Sequence, residues 1–148
     1  MSNNSPRFSI PYLAVSQAHK EITHNEALSV VDILMHASIE GIESLPPILS
    51  TGDAGKCWLV APAATGVWSG MADAIASWNG FGWRFIQPVA GMAVWDKQNG
   101  KELRFAGGIW ILPGMISSPS GGAVIDSEAR SAIEGLLVHL RSIGLLGV

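Results

Sequence analysis

Two Asn-Gly steps, Asn79-Gly80 and Asn99-Gly100, each stand between short runs of β-favouring residues. Both central residues of a tight hairpin turn need positive φ, which Asn and Gly accept at little cost. The middle of the chain is thereby confined to antiparallel hairpins. Strands are expected over residues 56–60, 74–78, 83–86, 92–96, 102–105 and 109–112, with Gly107-Gly108 turning the chain into the last. Residues 61–70, rich in Gly and Ala, read as a loop. Residues 45–113 thus predict a Trp/Gly-rich antiparallel β meander or small barrel.

A weak internal echo runs through this region. Ser77-Trp78-Asn79-Gly80-Phe81-Gly82-Trp83 resembles Arg104-Phe105-Ala106-Gly107-Gly108-Ile109-Trp110. Each places aromatics on either side of a Gly-containing turn, the pattern of a cross-strand aromatic pair. Two copies are too few for a repeat architecture.

The flanks read as helices. Ser16 can cap a helix over residues 16–29, with Ala18, Ile22, Ala27 and Leu28 as a loose apolar stripe. From residue 30 to 40, Val31, Ile33, Met35, Ala37 and Ile39 alternate with Asp32, Leu34, His36, Ser38 and Glu40, and a period of two predicts a strand. Residues 1–44 form an N-terminal unit of arm, helix and strand. A Ser/Pro/Gly-rich linker over 114–125 leads to a C-terminal helix within 126–148, capped by Asp126 or Ser127 and ended near Gly144. Its apolar residues Ala129, Ile133, Leu136, Leu140 and Ile143 are spaced 4, 3, 4 and 3, a heptad seam. The fold class expected is α+β: N-terminal helix, central antiparallel meander or small barrel, and a C-terminal helix that packs either on its own β domain or on the same helix of sister chains.

Composition removes several classes. Charged residues make up 14% of the 148 residues, against about 25% in ordinary soluble domains. With a mean hydropathy of +0.31, this points to a surface partly covered by other subunits. A pI near 5.7 without basic runs argues against a nucleic-acid partner. No apolar run reaches the length that membrane insertion needs, and residues 1–7 lack the layout of a signal peptide. Synthesis in a cytoplasm and a soluble chain are expected.

The chemical constellations are thin. His19 and His24 are five apart, so they diverge around a helix instead of sharing a metal, and nothing places His36 beside them. No metal and no cofactor are expected. Cys57, the single cysteine, reads as a small buried hydrophobe. Asp53, Asp73, Asp96 and Glu102 are scattered; Asp96 and Glu102 flank one hairpin and are expected to face solvent near its tip. No catalytic residue is expected. The six tryptophans, Trp58, Trp68, Trp78, Trp83, Trp95 and Trp110, suit either a β core or a face that stacks on sugar rings. Trp68, in a Gly-rich loop, is the candidate for an exposed glycan contact.

One block is more specific. Pro11-Tyr12-Leu13, followed by Gln17-Ala18-His19-Lys20-Glu21-Ile22-Thr23-His24-Asn25-Glu26-Ala27-Leu28 and Asp32, resembles the N-terminal signature of an uncharacterised family. That family occurs in phage tail fibres and in gene transfer agents of alphaproteobacteria. Gly52-Asp53-Ala54-Gly55-Lys56, residues 64–70 and Ile75-Ala76-Ser77-Trp78 are similar to it as well.

The resemblance implies a non-enzymatic virion component made in a bacterial host: a tail fibre, a head spike or an adaptor. It implies a homo-oligomer, commonly a trimer with the C-terminal helices in a trimeric bundle, in contact with other virion proteins. Gln17, Lys20, Thr23, Asn25 and Glu26 would then fix particle attachment or register. The alternative is a carbohydrate-binding module for host surface polysaccharide.

Overall fold

The computed structural model of the chain describes residues 3–13 and 20–147. Helix α1 (Lys20–Leu34) leads into two very short strands, β1 (Ser38–Ile39) and β2 (Ile42–Glu43). Six further strands follow: β3 (Cys57–Val60), β4 (Ile75–Trp78), β5 (Trp83–Ile86), β6 (Ala93–Asp96), β7 (Lys101–Ala106) and β8 (Ile109–Ile111). Helix α2 (Ser127–Ser142) ends the chain. The fold is α+β, as expected.

The strands form two four-stranded mixed sheets, ordered β1-β6-β7-β8 and β2-β3-β4-β5, and neither closes into a barrel. Each contains an antiparallel three-strand meander, with Trp78 paired to Trp83 in one and Phe105 to Trp110 in the other. β1 and β2 join these meanders. Ser38 is in parallel register with Trp95 of β6, and Ile42 with Leu59 of β3. Backbone bonds between the strands complete the join: Glu40 N donates to Cys57 O at 2.7 Å and Lys97 N to Ile39 O at 3.0 Å. Residues 38–43 are therefore one irregular strand shared by both sheets.

Both sheets contribute to one core. Ile39, Cys57, Leu59, Ile75, Val94 and Leu103 are buried together with Ile33 of α1. Trp110 packs on this cluster and its Nε1 donates to Asp73 O at 2.9 Å, tying the two layers together. The other face of the β3–β5 meander is covered too. Trp58, Val60 and Ala76 lie with Trp68 from the 61–74 loop, bordered by Trp78, Trp83 and Phe85. Burial on both faces is why β3 shows no exposed position. The echoed aromatic pairs thus occupy different places: Trp78 and Trp83 on the loop-covered face, and Trp110 of the second pair on the shared core.

Three expectations are corrected. The strand expected over 30–40 is helix as far as Leu34. The residue that reverses the pattern is Asp32, a buried polar side chain, while Val31 and Leu34 are exposed. The first residues of the helix expected from residue 16 lie outside the described residues. Asp96 does not face solvent; it is fully buried. Its carboxylate accepts from Gln98 N (2.9 Å), Asn99 N (3.3 Å) and Asn99 Nδ2 (2.7 Å). The connection it builds is four residues long, 97–100, and like the one over 79–82 it has positive φ at its Gly but not at its Asn, so the two-residue Asn-Gly turn is not formed. Trp68, expected at the surface, has 0% exposure. Its ring meets Trp83 edge to face at 4.9 Å, because the Gly-rich loop folds down over the meander.

Candidate functional site

Three polar residues of α1, Asn25, Ser29 and Asp32, are spaced by four and three and so share one helical face. That face holds the chain's own N-terminal arm, residues 3–13. The arm is a tight hairpin: Ser5 N donates to Ile10 O at 2.9 Å and Tyr12 N to Asn3 O at 2.8 Å. Asn25 pairs with Leu13 as a strand would, accepting from its N–H at 2.9 Å and donating to its C=O at 3.1 Å. The Tyr12 hydroxyl meets Ser29 Oγ at 2.8 Å.

Asp32 is the deepest of the three. Its carboxylate accepts from Ser5 Oγ at 2.7 Å, Phe8 N at 2.7 Å and Arg7 N at 3.0 Å. The Arg7 guanidinium then donates to the carbonyls of Asp32, Ile33 and His36 and to Ser38 Oγ. These include terminal carbonyls of α1, which have no partner within the helix; a cation there also complements the helix dipole.

Between this arm, α1 and the β4–β5 hairpin lies a cleft of about 710 Å³. Tyr12, Leu13, Ile22, Trp78 and Phe81 supply apolar surface, and Asn25, Glu26 and Arg84 are among its polar residues. Glu26 Oε1 and Arg84 Nη2 stand 3.7 Å apart. Asn79 shapes the hairpin tip: its Oδ1 accepts from Phe81 N at 2.9 Å and Gly82 N at 2.8 Å. Trp78 Nε1 donates to Ser50 O at 2.8 Å, which fixes the indole in the wall.

The residues read from sequence as an attachment cluster divide accordingly. Asn25 and Glu26 reach the cleft, whereas Thr23 is exposed and is not among its lining residues. Gln17 and the Lys20 side chain lie outside the described residues. Ser5, Arg7 and Ser29 were not singled out from sequence, although the 25/29/32 polar spacing marks a helix face that holds something.

The remaining candidates fall elsewhere. Among the described residues no group of three or more His, Cys, Asp or Glu side chains could hold a metal ion. Burial pushes the Cys57 thiol up from its ordinary pKa, away from the reactive thiolate. On α2, Asp126 caps the helix by accepting from Ala129 N at 2.8 Å. Of the heptad residues, Ala129, Ile133, Leu136 and Ile143 are exposed and Leu140 is half-buried, while the neighbouring Leu137 is buried. α2 is held through residues 116–121: Arg141 donates to Ile116 O at 2.6 Å, and Arg130 donates to Gly121 O.

The architecture is a small α+β unit in which a helix clamps an N-terminal arm and two meanders share one strand. The family model described as "Protein of unknown function (DUF2793)" matches residues 24–111, more than half of the chain, and the chain belongs to that family. The matched stretch runs from the clamp face of α1 to the end of β8. No curated protein and no solved structure matches the chain.

Proposed function

We propose that the protein is a non-enzymatic, self-associating structural component of a phage or phage-like particle: a tail fibre, head spike or adaptor. The observation that carries this reading is the outward face of α2. Ile133 and Leu136 are 44% and 63% exposed, and they belong to a seam whose spacing suits a coiled coil. Leaving such a stripe in water is unfavourable, and burying it between copies removes that cost. A trimer through Ala129, Ile133, Leu136, Leu140 and Ile143 accounts for the seam and for the low surface charge. The edge strand β8 adds exposed Ile109 and Ile111 to the surface available between copies.

The N-terminal signature supports the particle assignment. Its Asn25 and Asp32 hold the arm against α1, so the protein would present arm and helix to the virion as one preformed unit. Thr23, exposed on α1 and outside the cleft, is then positioned for particle contacts.

Light scattering across a range of concentrations tests the reading. A stable trimer is expected. Leu136→Asp combined with Leu140→Asp should give a monomer with unchanged β-sheet circular dichroism. A trimer that survives the double substitution removes the seam from the interface, and a wild-type monomer overturns self-association of the free chain.

A further inference from the structure

We propose that the cleft between the arm, α1 and the β4–β5 hairpin is a saccharide-binding site. Its size, about 710 Å³, falls in the range of small-molecule sites, roughly 300–1,000 Å³. It is independent of the α2 seam and does not rest on the particle assignment.

The chemistry of the walls selects the ligand class. Phe81 stands at the hairpin tip with 79% of its surface in water, so it adds little to the fold. The Asn79 turn nevertheless fixes its backbone, as both hydrogen bonds from Phe81 N and Gly82 N show. Trp78 and Tyr12 also line the cleft, and each is anchored by a hydrogen bond at its polar end. Aromatic side chains carried on anchored positions such as these suit the C–H face of a pyranose ring.

The polar groups suit its hydroxyls. Glu26 and Arg84 form a long, solvent-exposed pair at 3.7 Å, and such pairs contribute little by themselves. Vicinal hydroxyls can therefore engage the carboxylate as donors and the guanidinium as acceptors without breaking a strong contact. Glu26 and Arg84 together leave no net charge at this wall to recruit an acidic sugar or a phosphate, so a neutral oligosaccharide is the ligand assigned. The aromatic contact missed in the sequence at Trp68 is thus supplied by Phe81, Trp78 and Tyr12.

The test is a titration of the full chain, followed by ¹H–¹⁵N NMR, with neutral trisaccharides of glucose, galactose and N-acetylglucosamine, and with trigalacturonic acid. Resonances of residues 22–26 and 78–84 should shift with at least one neutral sugar at or below about 10 mM. Phe81→Ala should weaken that binding roughly tenfold, the loss of one aromatic contact, with an unchanged melting temperature. Glu26→Gln should weaken it as well, which gives a second variant if Phe81→Ala perturbs the turn. No shift with any neutral sugar overturns the proposal, as does preference for the galacturonide. A change of oligomeric mass in Phe81→Ala also overturns it, making the cleft a protein contact. Leu136→Asp with Leu140→Asp should leave the sugar response intact, so failure of the seam and failure of this site are read separately.

Discussion

The Ser5 hydroxyl donates to Asp32 Oδ1 at 2.7 Å across 27 residues of chain, and both side chains are buried. Asp32→Ala would leave that hydroxyl and the amides of Arg7 and Phe8 without their acceptor. The expected loss is about 2–4 kcal/mol of stability, measured as a lowered urea midpoint. Trypsin should also cut after Arg7 faster than in the wild type. Asp32→Asn should fall between the two, since its amide nitrogen cannot accept one of the three bonds.

Trp68 gives a second expectation. It fills the space between the 61–74 loop and the Trp58/Trp83 face of the meander. Its Nε1 has no hydrogen-bond partner among the described residues, so its contribution is packing. Trp68→Ala should cost about 3–5 kcal/mol. Trp68→Phe should cost clearly less, because no hydrogen bond is lost. Chemical denaturation of the two variants checks the order.

Gly144 holds the end of α2 against the sheet. It has φ +74°, and a Cβ there would stand 2.6 Å from Gly100 O and 2.9 Å from the Trp95 ring. Gly144→Ala should therefore combine a left-handed backbone penalty of about 1–2 kcal/mol with displacement of the docked turn. Faster amide exchange at residues 143–147 and at Glu102, whose N–H donates to Gly144 O at 3.5 Å, with the rest of the meanders unaffected, is the expected readout.

Asp53 provides a pH dependence with a definite sign. The Lys56 ammonium at 2.7 Å, then the N–H and hydroxyl of Ser50, hold its carboxyl well below the usual carboxylate range. A depressed folded-state pKa stabilises fully above the unfolded value, about 3.9, and that stabilisation is lost as pH falls towards the folded value. The urea midpoint of wild type minus that of Asp53→Asn should be level above about pH 5 and shrink below about pH 4. The pair is exposed, so the difference should be small.

Much of the architecture was legible in the sequence. The six meander strands lie within a residue of where turn chemistry and β-favouring residues place them, and α2 starts at its Asp126 cap. What misled were polar residues with inward tasks. Asp32 breaks the helical stripe because it binds an arm, and its alternation with apolar neighbours imitates a strand. Asp96 serves turn amides, so a flanking carboxylate is not a solvent marker. β1 and β2, two residues each, are too short to carry a period; their parallel pairing depends on partners far along the chain. The cleft was half visible: Asn25 and Glu26 stood out, but Phe81 and Arg84 join them only once the β4–β5 hairpin turns towards α1.

The strand over residues 38–43 is made before either meander that uses it. During synthesis it presents unpaired amides and carbonyls on both sides, first to β3 and later to β6. Each meander is contiguous in sequence and can form locally, yet neither completes its pairing without this strand. Loss of residues 38–43 would strip an edge strand from both sheets at once and separate the two meanders. Glu40, Leu59 and Lys97 amides, which bond across the two seams of that strand, should exchange with one common free energy, that of global unfolding.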